Sequence, residues 1–201
     1  MPMEKYVRSN LEEAQAALQA LLANGKTIET IASAGALLVE TFKHGGRVFS
    51  CGNGGSMCDA MHFAEELSGR FRLDRAGLPA QSISDPGHLT CVSNDYGYEF
   101  VFSRYLEAHA KKGDCLLAIS TSGKSKNVLT AVDAAKKLGV KVIGLMGRAE
   151  SPLGQAADIV IATPGGTFAD RVQELHIKTI HILIELIERD LFPENYKQGV
   201  A

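Results

Sequence analysis

The residues best able to do chemistry lie in two stretches far apart in the chain. In "MHFAEELSGR", Met61 to Arg70, His62 and Glu66 are four residues apart. That spacing puts an imidazole and a carboxylate on one face of a helix, with Glu65 also within reach of the face. In "ADRVQELHIKTIHILIELIERD", Ala169 to Asp190, the polar residues Gln173, His176 and His181 sit among apolar residues that surround the helix almost completely. Buried polar groups do not go unpaired cheaply, so these three need partners. If His62, Glu66, Gln173 and His181 converged, they could hold a metal ion or place a base and an acid on opposite sides of a sugar carbon. Spacing alone does not choose between Glu65 and Glu66.

Two loops add a second kind of chemistry. "GNGGS", Gly52 to Ser56, follows a short apolar run, and "STSGKS", Ser120 to Ser125, follows another. In the second loop Ser120, Thr121, Ser122 and Ser125 set four hydroxyls around Gly123 just before a helix that begins near Lys126 or Asn127. One hydroxyl is enough to cap a helix. Four of them at a helix N-terminus, where amide donors are unpaired and the potential is positive, make a nest for a phosphate. Neither loop fits a nucleotide motif, because "GNGGS" lacks G-x-G-x-x-G spacing and "STSGKS" lacks the first glycine of G-x-x-x-x-G-K-S. A small phosphorylated metabolite is the better match, with no nucleotide cofactor.

These side chains need a scaffold, and the hydrophobic pattern describes one. Apolar residues at helical spacing predict two helices over residues 1–44, broken at Asn24-Gly25, forming an N-terminal arm whose apolar stripe must be covered by its own domain or a sister subunit. From residue 47 the pattern becomes short apolar runs alternating with helices. Strands are predicted at Arg47–Cys51, Ala80–Ser84, Cys115–Ser120, Val140–Met146 and Ile159–Ala162, with helices near Cys58–Ser68, Val101–Ala110, Asn127–Leu138 and Ala169–Arg189. The fold class is therefore α/β: a parallel sheet covered on both faces. In such a sheet ligands bind beyond the carboxyl ends of the strands, where both glycine loops fall. Residues 45–192 are expected to form the ligand-binding domain, the arm to belong to it, and residues 193–201 to form a loose tail.

Composition removes several alternatives. The chain has 201 residues, a net charge of −2 and basic residues scattered rather than striped, which argues against a nucleic-acid partner. No apolar run approaches the roughly 20 residues that span a bilayer, and the acidic, amphipathic N-terminus is unlike a signal peptide, so the expected location is cytoplasmic. Cys51, Cys58, Cys91 and Cys115 form no C-x-x-C pair and are expected to be reduced packing residues.

Together, "SCGNGGS", "MHFAEELSGR", "VSNDYG", "ISTSGKS" and the helix "ADRVQELHIKTIHILIELIE" resemble the sugar-isomerase (SIS) domain, and within it the phosphoheptose isomerases, over nearly the whole chain. The resemblance implies a five-stranded parallel sheet flanked by helices in three layers. It implies a cytoplasmic homotetramer converting sedoheptulose 7-phosphate to D-glycero-D-manno-heptose 7-phosphate, the first step toward the ADP-heptose of lipopolysaccharide. By position, Ser120, Thr121, Ser122 and Ser125 match the phosphate cradle. Asn53, Gly54, Gly55 and Ser56, with Asn94, Asp95 and Gln173, match residues that contact the sugar. Glu66 matches the general base and His181 its acid partner, and some members hold one zinc ion per subunit on the equivalents of His62, Glu66, Gln173 and His181. Two positions depart from the pattern: Met57 stands where some relatives carry histidine, and Lys124 replaces an asparagine, adding charge near the phosphate. The competing expectation is a non-catalytic SIS module that binds the replication initiator or senses a sugar phosphate; such a relative can lose the carboxylate that this chain keeps.

Overall fold

The computed structural model describes residues 3–197. Among them, five parallel strands form one sheet in the order β2-β1-β3-β4-β5. The strands are β1 (Val48–Cys51), β2 (Ala80–Ser82), β3 (Cys115–Ser120), β4 (Lys141–Met146) and β5 (Ile159–Ala162). The helices are α1 (Met3–Ala23), α2 (Gly25–Lys43), α3 (Gly55–Ser68), α4 (Pro86–Asp95), α5 (Val101–His109), α6 (Lys126–Lys137), α7 (Pro152–Ala156) and α8 (Ala169–Leu191). The fold is the expected three-layer α/β sandwich.

Every residue of β1 and β3 is buried, the mark of strands covered on both faces. Alternation along β3 divides the core: Leu117 and Ile119 face Leu38 of α2, Phe63 of α3 and Leu183 of α8, whereas Leu116 and Ala118 face Phe102 of α5 and Val128 and Val132 of α6. With this strand order, the chain reverses its direction of growth between β1 and β3. The loops after those two strands, "GNGGS" and "STSGKS", are therefore the ones flanking the crevice where such sheets bind ligands.

Several expectations change. Helices α4 and α7 carry no clear apolar period, but each has a cap and a proline at its start: Asp85 accepts from the His88 amide at 2.7 Å ahead of Pro86, and Ser151 accepts from the Gly154 amide at 3.3 Å ahead of Pro152. Helix α2 of the arm packs into the core with α8, while Leu11 and Leu22 of α1 remain exposed. Of the segment expected as a tail, Pro193–Tyr196 form a 3-10 turn whose Tyr196 hydroxyl donates to Glu188 at 2.8 Å; residues 198–201 lie outside the described residues. Cys51 and Cys115 are buried packing residues, but Cys58 and Cys91 are exposed.

His176 is fully buried on α8, with no side-chain hydrogen-bond partner among the described residues. Burial pushes its pKa from 6.5 down to about 4, opposed in part by the Met146 backbone. The folded chain thus keeps His176 neutral where the unfolded chain would protonate it. The resulting stability is fully present above pH 6.5 and is lost as pH falls through 4, a loss of about 3 kcal/mol. In urea unfolding at pH 7, 5 and 4, His176→Leu is expected to flatten this part of the acid dependence; an unchanged slope would assign it to other groups.

Candidate active site

Three of the four residues expected to converge do so. His62 and Glu66 project from α3 and His181 from α8, which packs beside it. The Nε2 atoms of His62 and His181 are 3.0 Å apart, and Glu66 Oε1 is 3.4 Å from His62 Nε2. One ligand atom from each of the three lies within 4.8 Å of the others. Glu65 is more exposed and turns to the other side of the imidazole, with Oε1 3.2 Å from His62 Nδ1. The backbone therefore separates the two carboxylates: Glu66 faces His181, and Glu65 orients the His62 ring from behind.

Electrostatics separates them further. Burial raises the Glu66 pKa, with the Glu65 and Glu188 charges adding to the rise and His62 and Arg75 opposing it. Burial also lowers the His181 pKa, helped by His62, Lys178 and Arg72. A carboxylate moved up and an imidazole moved down bring the two groups closer together in proton affinity and favour the neutral imidazole, whose ring N–H can donate to a substrate oxygen. The His181 ring lies against Phe71, at 5.7 Å between centroids.

The group also fits a metal. Tetrahedral zinc bonds of about 2.0–2.2 Å separate ligand atoms by roughly 3.3–3.6 Å, close to the spacings seen here. Gln173 is not part of this cluster. It lies eight residues before His181, about 12 Å along the helix, and its amide packs against Gly55 at the start of α3. Helices α3 and α8 thus run side by side in parallel, Gln173 level with Gly55 and His181 level with His62.

The loop "STSGKS" has the geometry of a cradle. Ser125 is the N-cap residue of α6, yet its hydroxyl makes no capping bond and instead meets the Ser120 hydroxyl at 3.0 Å. The Ser120 hydroxyl also accepts from the Gly123 amide at 3.2 Å, and Ser122 accepts from the Lys124 amide at 3.2 Å. Thr121 and Ser122 line a cavity of about 290 Å³ with Lys124, Arg148 and the Gly165–Ala169 segment. Lys124→Ala is expected to raise KM for a sugar phosphate severalfold, and to weaken competitive inhibition by inorganic phosphate likewise, with kcat nearly unchanged. An unaltered KM would remove Lys124 from phosphate binding.

Among the sugar-contact candidates, Gly54 has φ +55 and Gly55 opens α3, where a side chain would collide with Gln173. Ser56 is buried in the first turn of α3. Asn53 and Asn127 exchange amide hydrogen bonds, 2.8 Å each way, and the Tyr98 hydroxyl donates to Asn53 Oδ1 at 2.9 Å. The buried Asn127 therefore ties "GNGGS" to the start of the helix that follows "STSGKS", a role no local pattern announces. Asn94 and Asp95 are exposed in the last turn of α4, bonded to each other at 2.8 Å. Met57 packs on the core face that carries α5 and α6.

Known proteins share this sequence and this fold. Residues 10–147 match the SIS domain family model. The phosphoheptose isomerase of Photorhabdus laumondii is 57% identical over 188 residues, covering 94% of this chain and 97% of that one. The Vibrio cholerae phosphoheptose isomerase is 54% identical over 94% of this chain and 98% of its own. Among solved structures, a phosphoheptose isomerase from Neisseria gonorrhoeae superimposes with a TM-score of 0.86 at 34% identity, covering 92% of this chain and 98% of that one. One from Francisella tularensis gives the same TM-score at 32% identity, covering 94% and 100%. With a hydroxyl cradle at the reversal point of the sheet, an imidazole–carboxylate–imidazole group between α3 and α8 and this likeness over nearly the whole chain, the protein belongs to the phosphoheptose isomerase family of SIS-domain proteins.

Proposed function

We infer that this chain is an aldose–ketose isomerase that converts sedoheptulose 7-phosphate to D-glycero-D-manno-heptose 7-phosphate, the opening step of ADP-heptose synthesis for lipopolysaccharide. The convergence of Glu66 and His181 carries this reading, because the reaction moves one proton between C1 and C2 and must also move protons on the two oxygens. The Glu66 carboxylate takes the proton from C1, giving an enediol, and returns it to C2. His181, held neutral, donates its ring N–H toward O2 and recovers a proton from O1. His62, oriented by Glu65, keeps both groups in register.

The residues that would hold a zinc ion are His62, Glu66 and His181, whereas Gln173 stands apart from them beside Gly55. When bound, zinc supplies a Lewis acid that stabilises negative charge on the sugar oxygens. Phosphate recognition falls to Ser120, Thr121, Ser122 and Ser125, and sugar contacts to Asn53, Gly54, Gly55, Ser56, Asn94, Asp95 and Gln173.

We also propose a cytoplasmic homotetramer. Glu66 lies eleven residues into α3 from Gly55, about 16 Å along the axis. That separation favours an assembly in which a neighbouring copy completes each site, and the exposed Met3, Val7 and Leu11 of α1 offer apolar surface for it. No helix among the described residues is long and apolar enough to cross a membrane.

The test is turnover of sedoheptulose 7-phosphate by the purified chain, before and after chelation and after zinc is restored. Turnover that chelation abolishes and zinc restores is the expected result; no turnover by folded, zinc-loaded protein would overturn the assignment.

A further inference from the structure

Beyond the site, a second constellation joins the same two helices. Arg75 comes from the segment between α3 and β2, and its side chain is 1% exposed. Its Nε donates to Glu188 Oε1 at 2.8 Å, its Nη2 to the Glu66 carbonyl at 2.6 Å, and its Nη1 to the Leu67 and Gly69 carbonyls at 2.7 and 2.9 Å. These carbonyls belong to the end of α3, where a helix leaves acceptors unpaired and the potential is negative. Glu188, equally buried, lies two helical turns beyond His181 on α8, and its other oxygen accepts from the Tyr196 hydroxyl. The Phe192 ring closes the guanidinium from one side, 5.8 Å from its centroid.

One planar fork thus grips the backbone of the residue that carries the active carboxylate and, through Glu188, the helix that carries its imidazole partner. Stability alone is a poor reason to keep this arrangement, since a buried ion pair is often no more stabilising than apolar residues of the same shape. What the pair supplies is register, and a lysine could not reproduce the divergent directions of the fork.

We propose that Arg75 and Glu188 are positioning residues that lock the end of α3 to α8 and thereby set the distance between the Glu66 carboxylate and the His181 imidazole. The inference rests on Glu66 and His181 working as a pair. Because groups behind metal ligands tune affinity by about 10–100-fold, and a displacement near 1 Å can slow turnover about 100-fold, loss of the lock is measurable without unfolding the chain.

The experiment compares wild type, Glu188→Gln and Arg75→Lys as full-length chains. Lys43→Gln serves as a control, since it breaks exposed ion pairs to Glu40 on α2 and to Asp190 on α8, the helix that carries Glu188. Zn²⁺ affinity is measured by chelator competition, kcat and KM with sedoheptulose 7-phosphate, and folding by near-ultraviolet circular dichroism. Both clamp variants are expected to stay folded, to bind Zn²⁺ at least tenfold more weakly and to lose at least tenfold in kcat, with KM within about twofold. The control is expected to match wild type. Folded clamp variants with wild-type Zn²⁺ affinity and kcat overturn the proposal, and so does failure of both to fold, which would make the pair purely structural. If wild type binds Zn²⁺ but turns over no sugar, the functional assignment fails while the clamp is still decided by affinity.

Discussion

Replacing Glu66 with glutamine is expected to lower kcat by about 10²–10⁴, equivalent to about 3–5 kcal/mol of barrier, with a much smaller change in KM. Glutamine keeps the length and shape of the side chain but cannot accept the C1 proton. The loss should be read in kcat because the proposed phosphate cradle lies on the strand-end loops, whereas Glu66 lies near the far end of α3. Glu65→Gln is the internal comparison. It removes a neighbouring charge that raises the Glu66 pKa and a partner of His62 Nδ1, so a reduction of severalfold is expected. If Glu65→Gln proved the more damaging change, the two carboxylates would have to exchange roles. Glu66→Gln retaining a tenth or more of wild-type kcat would end the case for Glu66 as the base.

Gly123→Ala is expected to act at the opposite end, raising KM for the sugar phosphate tenfold or more while leaving kcat at saturation within a few fold. Gly123 has φ +64, a conformation costing an alanine about 1–2 kcal/mol, and the new Cβ would overlap Ser151 Oγ and Cβ. Neither side can yield easily. Ser151 caps α7 through the Gly154 amide, and the Leu153 amide donates to the Gly123 carbonyl at 3.0 Å, so the loop and that helix are already bonded. Overpacking adds about 1–3 kcal/mol to the backbone strain. The loop must shift, and with it the Gly123 amide that holds the Ser120 hydroxyl. In a Gly123→Ala/Ser151→Gly double variant the overlap disappears while the strain remains, so KM should recover in part. Equal KM values for Gly123→Ala and wild type would show that the loop tolerates the shift and that the cradle is not built around this glycine.

Much of this protein is legible along the chain, for reasons that are local. The largely apolar runs of β1 and β3 leave little choice but central strands of a covered sheet, and strand-helix alternation makes that sheet parallel. The four hydroxyls around Gly123 and the four-residue interval from His62 to Glu66 are likewise spacings, set by turn and helix geometry. Helices α4 and α7 are absent from the sequence-based expectation, because each is short and carries little apolar period, and only a cap and a proline mark its start.

What the chain could not announce depends on elements meeting across long intervals. The preference for Glu66 over Glu65 follows from where α8 lies against α3, since either carboxylate reaches His62. The separation of Gln173 from His62, Glu66 and His181 follows from the parallel alignment of those helices, which places Gln173 two turns away beside Gly55. Asn127 pairing with Asn53 and Arg75 pairing with Glu188 join residues 74 and 113 positions apart, and nothing around any of the four predicts its partner. Local sequence determined which elements form and which chemistry they can carry, because propensity and period act over a few residues. Tertiary structure decided which of those side chains share a site, because only packing of the sheet and its helices sets distances between them.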